Sequence, residues 1–258
     1  MDNQQKCDLQ IIVAVHKPHW LPRDTAYFPV RVGKYTSRAN NDSTFACDNT
    51  GDNISDKNPY YCELTGMYWA WKHLTCRYIG LCHYRRYFVK NICGIPLHIY
   101  NQHDFREDLH EHDIIVPPVT RLTETVYEQY ASHHNQRDID IVRQIIVSRY
   151  PDYVDAFDEV MQQREAYFTN IFCLLKSEYD AYCEWLFDIL FQVEVQIQDN
   201  VKKNYDNYQS RVYGFISERL LNVWIRKQRY CVKEQPIIIL DERALTHRLM
   251  DCVRRFLN

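Results

Sequence analysis

Two adjacent arginines lie shortly after an apolar segment in YIGLCHYRRYF, residues 78–88. The segment begins like a buried strand, and Arg85 and Arg86 follow it without an intervening turn residue. Successive side chains on a strand point to opposite faces, so both arginines reach one place only if the strand ends there. Paired guanidinium groups at the carboxyl edge of a sheet can bind a phosphate or diphosphate. The alternative is that these arginines form ion pairs with neighbouring carboxylates.

A polar loop, DNTGDNIS at residues 48–55, is a second candidate for ligand binding. Asparagine, aspartate and serine side chains can recognise ribose hydroxyls or the edge of a base, and Gly51 permits a close approach of the backbone. The loop lacks the spacing of a calcium-binding EF-hand loop. An ordinary surface loop would have the same composition, so that alternative stays open.

Glu218 is the preferred candidate for a general base. It lies off the apolar face of the helix predicted in QSRVYGFISERLLNVWIRK, next to Arg219. A carboxylate in that position could accept the proton of a hydroxyl group. Asp48 and Glu63 are rival candidates, and Glu218 could instead be an exposed residue with an ion-pair partner on its own helix.

The sequence contains no recognisable metal-binding motif. The histidines of HDFREDLHEHD and SHH do not have the HExxH or the two-cysteine, two-histidine spacing. The acidic DxD pair that would hold a divalent cation on a nucleotide diphosphate is missing from the strand ends, and DID at 138–140 falls in a helical context. P-loop, GxGxxG and GxSxG motifs are also missing. We therefore expect a site without a metal or another cofactor.

Composition limits the possible environments and partners. The 258 residues carry a formal net charge of −3, which argues against general nucleic-acid binding. Ten cysteines occur without a CxxC pair, which favours a reducing cytosol over a disulfide framework. We find no signal-peptide core and no apolar run of about 18 residues, so we expect a cytoplasmic protein without a membrane-spanning segment.

Alternating strand and helix patterns predict an α/β domain whose second half is mainly helical. A last amphipathic helix is predicted in RALTHRLMDCVRRFLN, and its arginines could contact an anionic membrane surface or simply pack on the domain. The predicted strands lie in LQIIVAVHK, YFPVRVG, RYIGLCHYR, HDIIVPP, AYFTNIFCLLK and QPIIIL. The predicted helices lie in PYYCELTGMYWAWKHL, LTETVYEQYASHH, DIDIVRQIIVSRY, PDYVDAFDEVMQQ, SEYDAYCEWLFDILFQVEVQI and QSRVYGFISERLLNVWIRK.

Several long ordered motifs resemble one bacterial family. They are DNTGDNIS-KN-YCELTGMYWAWK, YIGLCHYRRYF, NIFCLLKSEYDAYCEWLFDIL and RVYGFISERLLNVW, and the likeness runs from about residue 10 to about residue 228. The family comes from capsule, exopolysaccharide and O-antigen gene clusters. It was long labelled a domain of unknown function, and its characterised activity is galactofuranosyl transfer.

This resemblance implies a GT-A-like glycosyltransferase fold, with a mixed sheet flanked by helices and a UDP-sugar donor. The sequence shows no repeat, low-complexity segment or clear linker, so we expect a single domain over 1–258, with a donor-binding α/β part at about 10–120 and a helical acceptor-side part at about 121–258. In GT-A enzymes a metal-binding acidic pair usually follows the donor-binding strands. Here HYRR, residues 83–86, occupies that place. We therefore expect metal-independent transfer with inversion, in which Arg85 and Arg86 hold the diphosphate.

Further roles follow from the same resemblance together with residue chemistry. The acceptor would be a growing glycan, lipid-linked or an oligosaccharide, at the cytoplasmic membrane face. A non-catalytic glycan- or nucleotide-binding module remains the alternative, and a phosphatase or nuclease lacks an evident nucleophile. The residues expected on the donor side are His16, Lys17, Asp52, Asn53, Ser55, Asn58, Glu63, His83 and Tyr84. Those expected around the sugar or acceptor are Trp69, Asn170 and Arg211.

Overall fold

The first strand shows how the sheet is built. Leu9–Val15 consists almost entirely of buried apolar residues, several of them β-branched. The computed structural model describes residues 8–17, 19–33, 45–92 and 95–240. The strands in this part of the chain are β1 (Leu9–Val15), β2 (Tyr27–Arg31), β3 (Ala46–Cys47), β4 (Tyr78–His83), β5 (Arg86–Ile92), β6 (Ile95–Ile99), β7 (Ile114–Val116), β8 (Thr120–Arg121), β9 (Glu165–Ala166), β10 (Phe172–Leu175), β11 (Val232–Glu234) and β12 (Ile237–Ile239).

A mixed sheet forms the centre of the fold. Its strand order is β11-β7-β10-β4-β1-β2-β3. Strand β1 pairs in parallel with β2 and β4, whereas β10 is antiparallel to both of its neighbours. At the end of β4 the chain turns into β5, which also pairs with β6 and β12. Since β1 and β4 are parallel, the residues that follow them meet at the same edge of the sheet.

Both faces of the sheet are covered, as the alternation of side chains along β1 shows. Ile12 and Ala14 belong to the larger core, whereas Ile11 and Val13 belong to a smaller core on the opposite face. At the centre of the sheet, a Cβ atom on Gly80 would lie 2.6 Å from the carbonyl oxygen of Phe172. The close contact between β4 and β10 therefore requires a glycine at this position.

Most of the helices pack on the larger core. Two of them begin with a capping box, Asn101 with Asp104 and Thr125 with Glu128. No helix in the described ranges is both long and apolar enough to cross a membrane. The helices of these ranges are α1 (Asn58–Tyr61), α2 (Leu64–His73), α3 (Gln102–Glu111), α4 (Val126–His133), α5 (Gln136–Arg149), α6 (Val154–Gln162), α7 (Lys176–Asn204) and α8 (Val212–Gln228).

The α/β class with a mixed sheet flanked by helices is confirmed, and several details differ from the prediction. Strand β4 ends at His83, but the chain remains in the sheet. A two-residue turn follows β4 and leads directly into β5. The helix expected from Pro59 onwards is divided into α1 and α2 by Cys62, whose φ is 53°. The mainly helical second half supplies β10 to the middle of the sheet. The last predicted helix, in residues 242–258, lies outside the described residues.

Candidate active site

A cavity of about 690 Å³ lies between the edge of the sheet and helix α8. This volume is typical of sites that hold a small-molecule ligand. We call its two sides the sheet wall and the helix wall. The main residues of the sheet wall are His16, His83, Tyr84, Arg85, Arg86 and Ile239. The main residues of the helix wall are Asn58, Cys62, Glu63, Tyr208, Arg211, Phe215 and Glu218.

The turn between β4 and β5 brings both arginines to the cavity. His83 lies opposite Arg86 in the hairpin, and Arg85 occupies the turn, so the alternation of a continuous strand does not separate them. The guanidinium carbon of Arg85 lies 5.1 Å from the centre of the Tyr84 ring. Within the described part of the chain, neither arginine forms an ion pair or a side-chain hydrogen bond with a protein group. The ion-pair alternative is therefore not what the described structure contains.

A third arginine faces them from the helix wall. Arg211 ends the short 3₁₀ turn that leads into α8, and its Nε donates a hydrogen bond to Cys62 Sγ over 3.1 Å. Cys62 adopts φ 53°, a strained conformation for a residue with a side chain. The Asn58 side chain stabilises it by donating to the Cys62 carbonyl oxygen over 2.8 Å. Strain that several contacts hold in place is common at functional sites.

Glu218 is held in a defined position by two donors. Its Oε1 accepts a hydrogen bond from the backbone N–H of Thr169 over 3.2 Å, and its Oε2 lies 3.1 Å from Nη1 of Arg219. Thr169 has φ 79°, which is unusual for a β-branched residue. Burial raises the pKa of Glu218 to about 6, although the charge of Arg219 opposes this shift. At neutral pH the group is therefore mostly ionised and close to the point at which it accepts a proton.

Arg219 itself is almost completely buried, with 2% of its surface exposed. Its Nη2 donates to Oε1 of Gln129 over 2.6 Å, and its Nη1 donates to the carbonyl oxygen of Phe215 over 3.0 Å. The guanidinium also lies near the ring of Phe168. Arg219 is therefore anchored from several sides, and this fixes the charge next to Glu218.

Glu63 and His83 form a second polar group at the cavity. Oε1 of Glu63 accepts a hydrogen bond from Asn170 Nδ2 over 2.7 Å and lies 3.6 Å from His83 Nε2. Burial lowers the pKa of His83 although Glu63 acts in the opposite direction, and burial together with Lys17 lowers the pKa of His16. Both imidazoles are therefore harder to protonate than a free histidine side chain.

The charges that line the cavity favour an anionic ligand. Arg85, Arg86 and Arg211 carry three positive charges, against the two carboxylates of Glu63 and Glu218. The two carboxylates are each held by protein donors, whereas the guanidinium groups of the β4–β5 turn have no such partners in the described structure. An anion in the cavity would therefore meet two cations that are available for charge-assisted hydrogen bonds.

A comparison with protein-family models gives a match to a domain of unknown function, DUF4422, over residues 10–229. The chain belongs to this family. A solved apo structure of a WbbM bifunctional glycosyltransferase superimposes with a TM-score of 0.81 at 30% sequence identity. The match covers 91% of this chain and 46% of that one, so this chain spans about half of its length. A comparison with curated proteins found no significant match.

These findings confirm the family resemblance and the GT-A-like fold predicted for this DUF4422 chain. The family match begins in β1 and ends just after α8, so it includes the helix wall and all main residues of the sheet wall except Ile239. No group of three or more histidine, cysteine, aspartate or glutamate side chains in the described ranges has a geometry that could hold a metal ion. Metal-independent transfer stays a prediction.

Several residues predicted for the donor side of the DUF4422 site do not line the cavity. Asp52 accepts a hydrogen bond from the Tyr68 hydroxyl, and Asn53 donates to the carbonyl oxygen of Gly51. Asp52 therefore connects the loop to α2, and Asn53 stabilises the loop itself. Other predicted donor-side residues, namely His16, Asn58, Glu63, His83 and Tyr84, do line the cavity.

Two more predicted donor-side residues also lie outside the cavity lining. Ser55 is buried and donates a hydrogen bond to Asp48 over 2.5 Å. Asp48 is thus a buried partner of its own loop, and burial raises its pKa. Lys17 lies at the edge of the cavity, with Nζ 5.8 Å from the centre of the Tyr84 ring.

The predicted sugar-pocket residues lie in three different environments. Arg211 lines the cavity, whereas Asn170 lies behind it and holds Glu63. Trp69 does not line the cavity, because its ring stacks between Phe28 and His73 and only 7% of its surface is exposed. This tryptophan therefore packs the core in the observed structure, and its expected place in a sugar pocket is not where the ring lies.

Sequence reasoning missed seven cavity residues of this DUF4422 chain, namely Ala14, Val32, Cys62, Tyr208, Gly214, Phe215 and Ile239. Phe215 lies three residues before Glu218, so helical periodicity alone could have placed both on one face. Tyr208 belongs to the polar segment before α8, where no pattern marks a single aromatic residue. Ile239 reaches the cavity because β12 pairs with β5, a long-range contact that the local sequence does not encode.

Proposed function

We propose that this chain is a glycosyltransferase that moves a sugar from a UDP-sugar donor to a growing surface-polysaccharide acceptor. The observation that carries this proposal is the arrangement of the cavity, in which Arg85 and Arg86 face Glu218 from the opposite wall. Cations for a diphosphate and a base for a hydroxyl are the two groups that such a reaction needs. The fold shared with the WbbM glycosyltransferase supports the same activity.

In the proposed reaction, Glu218 accepts the proton of an acceptor hydroxyl while the hydroxyl oxygen attacks the anomeric carbon of the donor. The bond from that carbon to the phosphate oxygen breaks, and its electron pair leaves with UDP. The arginines of the turn stabilise the negative charge that develops on the leaving diphosphate. Because the attack and the departure occur on opposite faces of the carbon, this single displacement inverts the anomeric configuration.

Three finer parts of the proposal concern the sugar, the metal and the acceptor. Galactofuranose is our first choice for the transferred sugar, on the basis of the family resemblance. Metal-independent transfer is supported by HYRR, residues 83–86, at the place where an acidic pair is usual in GT-A enzymes. A lipid-linked acceptor would put the reaction at the cytoplasmic face of the membrane, and peripheral contact through the last predicted helix is part of the same proposal.

The test is UDP release from a panel of UDP-sugars that includes UDP-galactofuranose, with synthetic and lipid-linked acceptors. Wild type and Arg86→Ala are compared in EDTA and in Mn²⁺. We expect turnover in EDTA that is largely lost in the variant. Turnover only with added metal would overturn metal independence.

The same assay separates the enzyme from its alternative, a non-catalytic glycan- or nucleotide-binding module. UDP binding without turnover with any donor and acceptor would favour the module. In that case Glu218→Gln would leave ligand binding unchanged and there would be no turnover to lose.

A further inference from the structure

An exposed tyrosine stands on the helix wall at the side of the proposed base. Tyr208 keeps 55% of its surface in solvent although it lines the cavity. Tyrosine combines a large apolar ring with a polar hydroxyl, and it is enriched at contact surfaces that are apolar at one end and wet at the other. The other exposed large apolar residue of the cavity in the described structure is Ile239, on the sheet wall.

The ring of Tyr208 is held in place by two neighbouring rings. Its centre lies 5.0 Å from that of Phe215 and 6.1 Å from that of His134, and the two rings of His134 and Phe215 stack at 4.1 Å. The backbone N–H of Tyr208 also donates to Asp206 Oδ1 over 2.8 Å. The tyrosine is thus a supported, preorganised surface, which lowers the entropy cost of binding a ligand to it.

This surface lies on the same wall as the base, and the guanidinium carbon of Arg211 lies 5.8 Å from the centre of the Phe215 ring. Phe215 and Glu218 are three residues apart on α8, so they lie on one face of the helix. The positive charges of the β4–β5 turn are on the opposite wall. A ligand on Tyr208 would therefore reach Glu218 from the side that a diphosphate held by Arg85 and Arg86 leaves open.

We propose that Tyr208, supported by Phe215, is the platform on which a sugar ring of the acceptor stacks while its hydroxyl is directed to Glu218. The apolar C–H face of a sugar ring suits the face of an aromatic ring, and the hydroxyls at its edge suit the polar groups of the cavity. The inference rests on the proposed function, because that function assigns the opposite wall to the donor. Tyr208 acts by binding, and the proton still passes to Glu218.

The experiment measures acceptor KM for methyl and octyl glycosides of galactose, glucose and mannose. Tyr208→Ala should raise KM about tenfold for the methyl and octyl forms alike, which corresponds to a loss of about 1.4 kcal/mol of stacking. Tyr208→Phe should retain the wild-type value. The KM for the donor should not change, and neither should the rate of slow donor hydrolysis, in which water takes the place of the acceptor and UDP is released. Trp20→Ala, which removes an exposed aromatic residue outside the cavity lining, is the matched control.

Each contrary result has a definite meaning. An effect on the octyl forms only would assign Tyr208 to a lipid chain, and an unchanged acceptor KM would exclude the platform; both overturn the inference. If wild type transfers no sugar, saturation-transfer NMR of the same methyl glycosides decides. Binding that Tyr208→Ala abolishes would keep the platform while the transferase proposal fails. Equal binding, or none, would overturn the platform as well.

Discussion

The two walls of the cavity differ in whether their charged side chains have partners within the described part of the protein. On the helix wall, Glu218 is held by the Thr169 N–H and by Arg219, whose guanidinium is itself buried and hydrogen-bonded. On the sheet wall, Arg85 and Arg86 have no ion-pair partner in the described ranges. The same residue type thus serves two purposes. A paired arginine fixes a protein group, whereas unpaired arginines at a cavity are available to a ligand.

The largest expected effect concerns the base on the helix wall. Glu218→Gln keeps the shape of the side chain but cannot accept a proton, so turnover should fall by about 10²- to 10⁴-fold. UDP binding should remain, because its proposed contacts are on the other wall. Steady-state kinetics and calorimetric titration with UDP measure the two quantities. Glu184→Gln, at an exposed position on α7, is the control, and equal activity in both variants would remove Glu218 from the mechanism.

The second prediction concerns the buried arginine that holds this base. Arg219→Ala leaves a carboxylate without its cation and empties a packed position, so the free energy of unfolding should fall by about 3 kcal/mol. Arg226 lies on the same helix as Arg219, and Arg226→Ala breaks its exposed ion pair with Glu159 of α6 and should cost less than about 1 kcal/mol. Urea denaturation of both variants tests the contrast. Similar losses would show that burial of Arg219 has no special importance.

The third prediction addresses the unpaired arginines. Arg85→Ala and Arg86→Ala should each weaken UDP binding about 10- to 100-fold, because each removes charge-assisted hydrogen bonds. Stability should change little, since these side chains have no ion-pair partner to lose among the residues that the structure describes. Arg143→Ala, which breaks an exposed pair with Asp158 far from the cavity lining, should leave UDP binding intact. If these variants lost much stability but kept their affinity for UDP, the arginines of the sheet wall would be structural and not ligand-binding.

The smallest expected effect is a shift in pH dependence. Burial raises the pKa of Glu218 to about 6, and its ionised form is the base, so kcat/KM should fall as the pH drops through about 6. The negative charge of Glu63 contributes to the raised pKa. Glu63→Gln should therefore move this acidic limb to lower pH by a fraction of a unit. If the acidic limb of the kcat/KM profile does not move, a group other than Glu218 is responsible for it.

The sequence predicts the parts of the fold that local pattern controls. Buried strands such as β1 and β4, and amphipathic helices such as α5 and α8, follow directly from their periodicity. The β5–β6 hairpin and α3 were missed, because their polar and apolar residues do not alternate cleanly. The division between α1 and α2 depends on the positive φ of Cys62, a conformation that the residue type itself does not indicate.

The candidate site could be predicted where a reactive side chain lies on, or shortly after, a recognisable strand or helix. The arginines after β4 and the carboxylate of α8 reach one cavity, as the sequence suggested. By contrast, Asp52 and Trp69 form hydrogen bonds with Tyr68 and Thr50. The polar atoms and the ring face that could have bound a ligand are therefore used within the protein. The exposure of Tyr208 depends on how the segment before α8 packs, which no local pattern specifies.

The position of β10 restricts how this chain can be divided or synthesised. Phe172 pairs with Leu81, and Cys173 pairs with Ile115, so a strand from the second half separates two strands from the first. During translation, the edges of β4 and β7 that pair with β10 therefore stay without a partner strand until β10 has been synthesised. Such unpaired edges favour aggregation. A fragment that ends before Phe172 would keep those edges open permanently. Split-protein reporters or crystallisation fragments of this chain should keep Phe172–Leu175 together with the strands on either side of it.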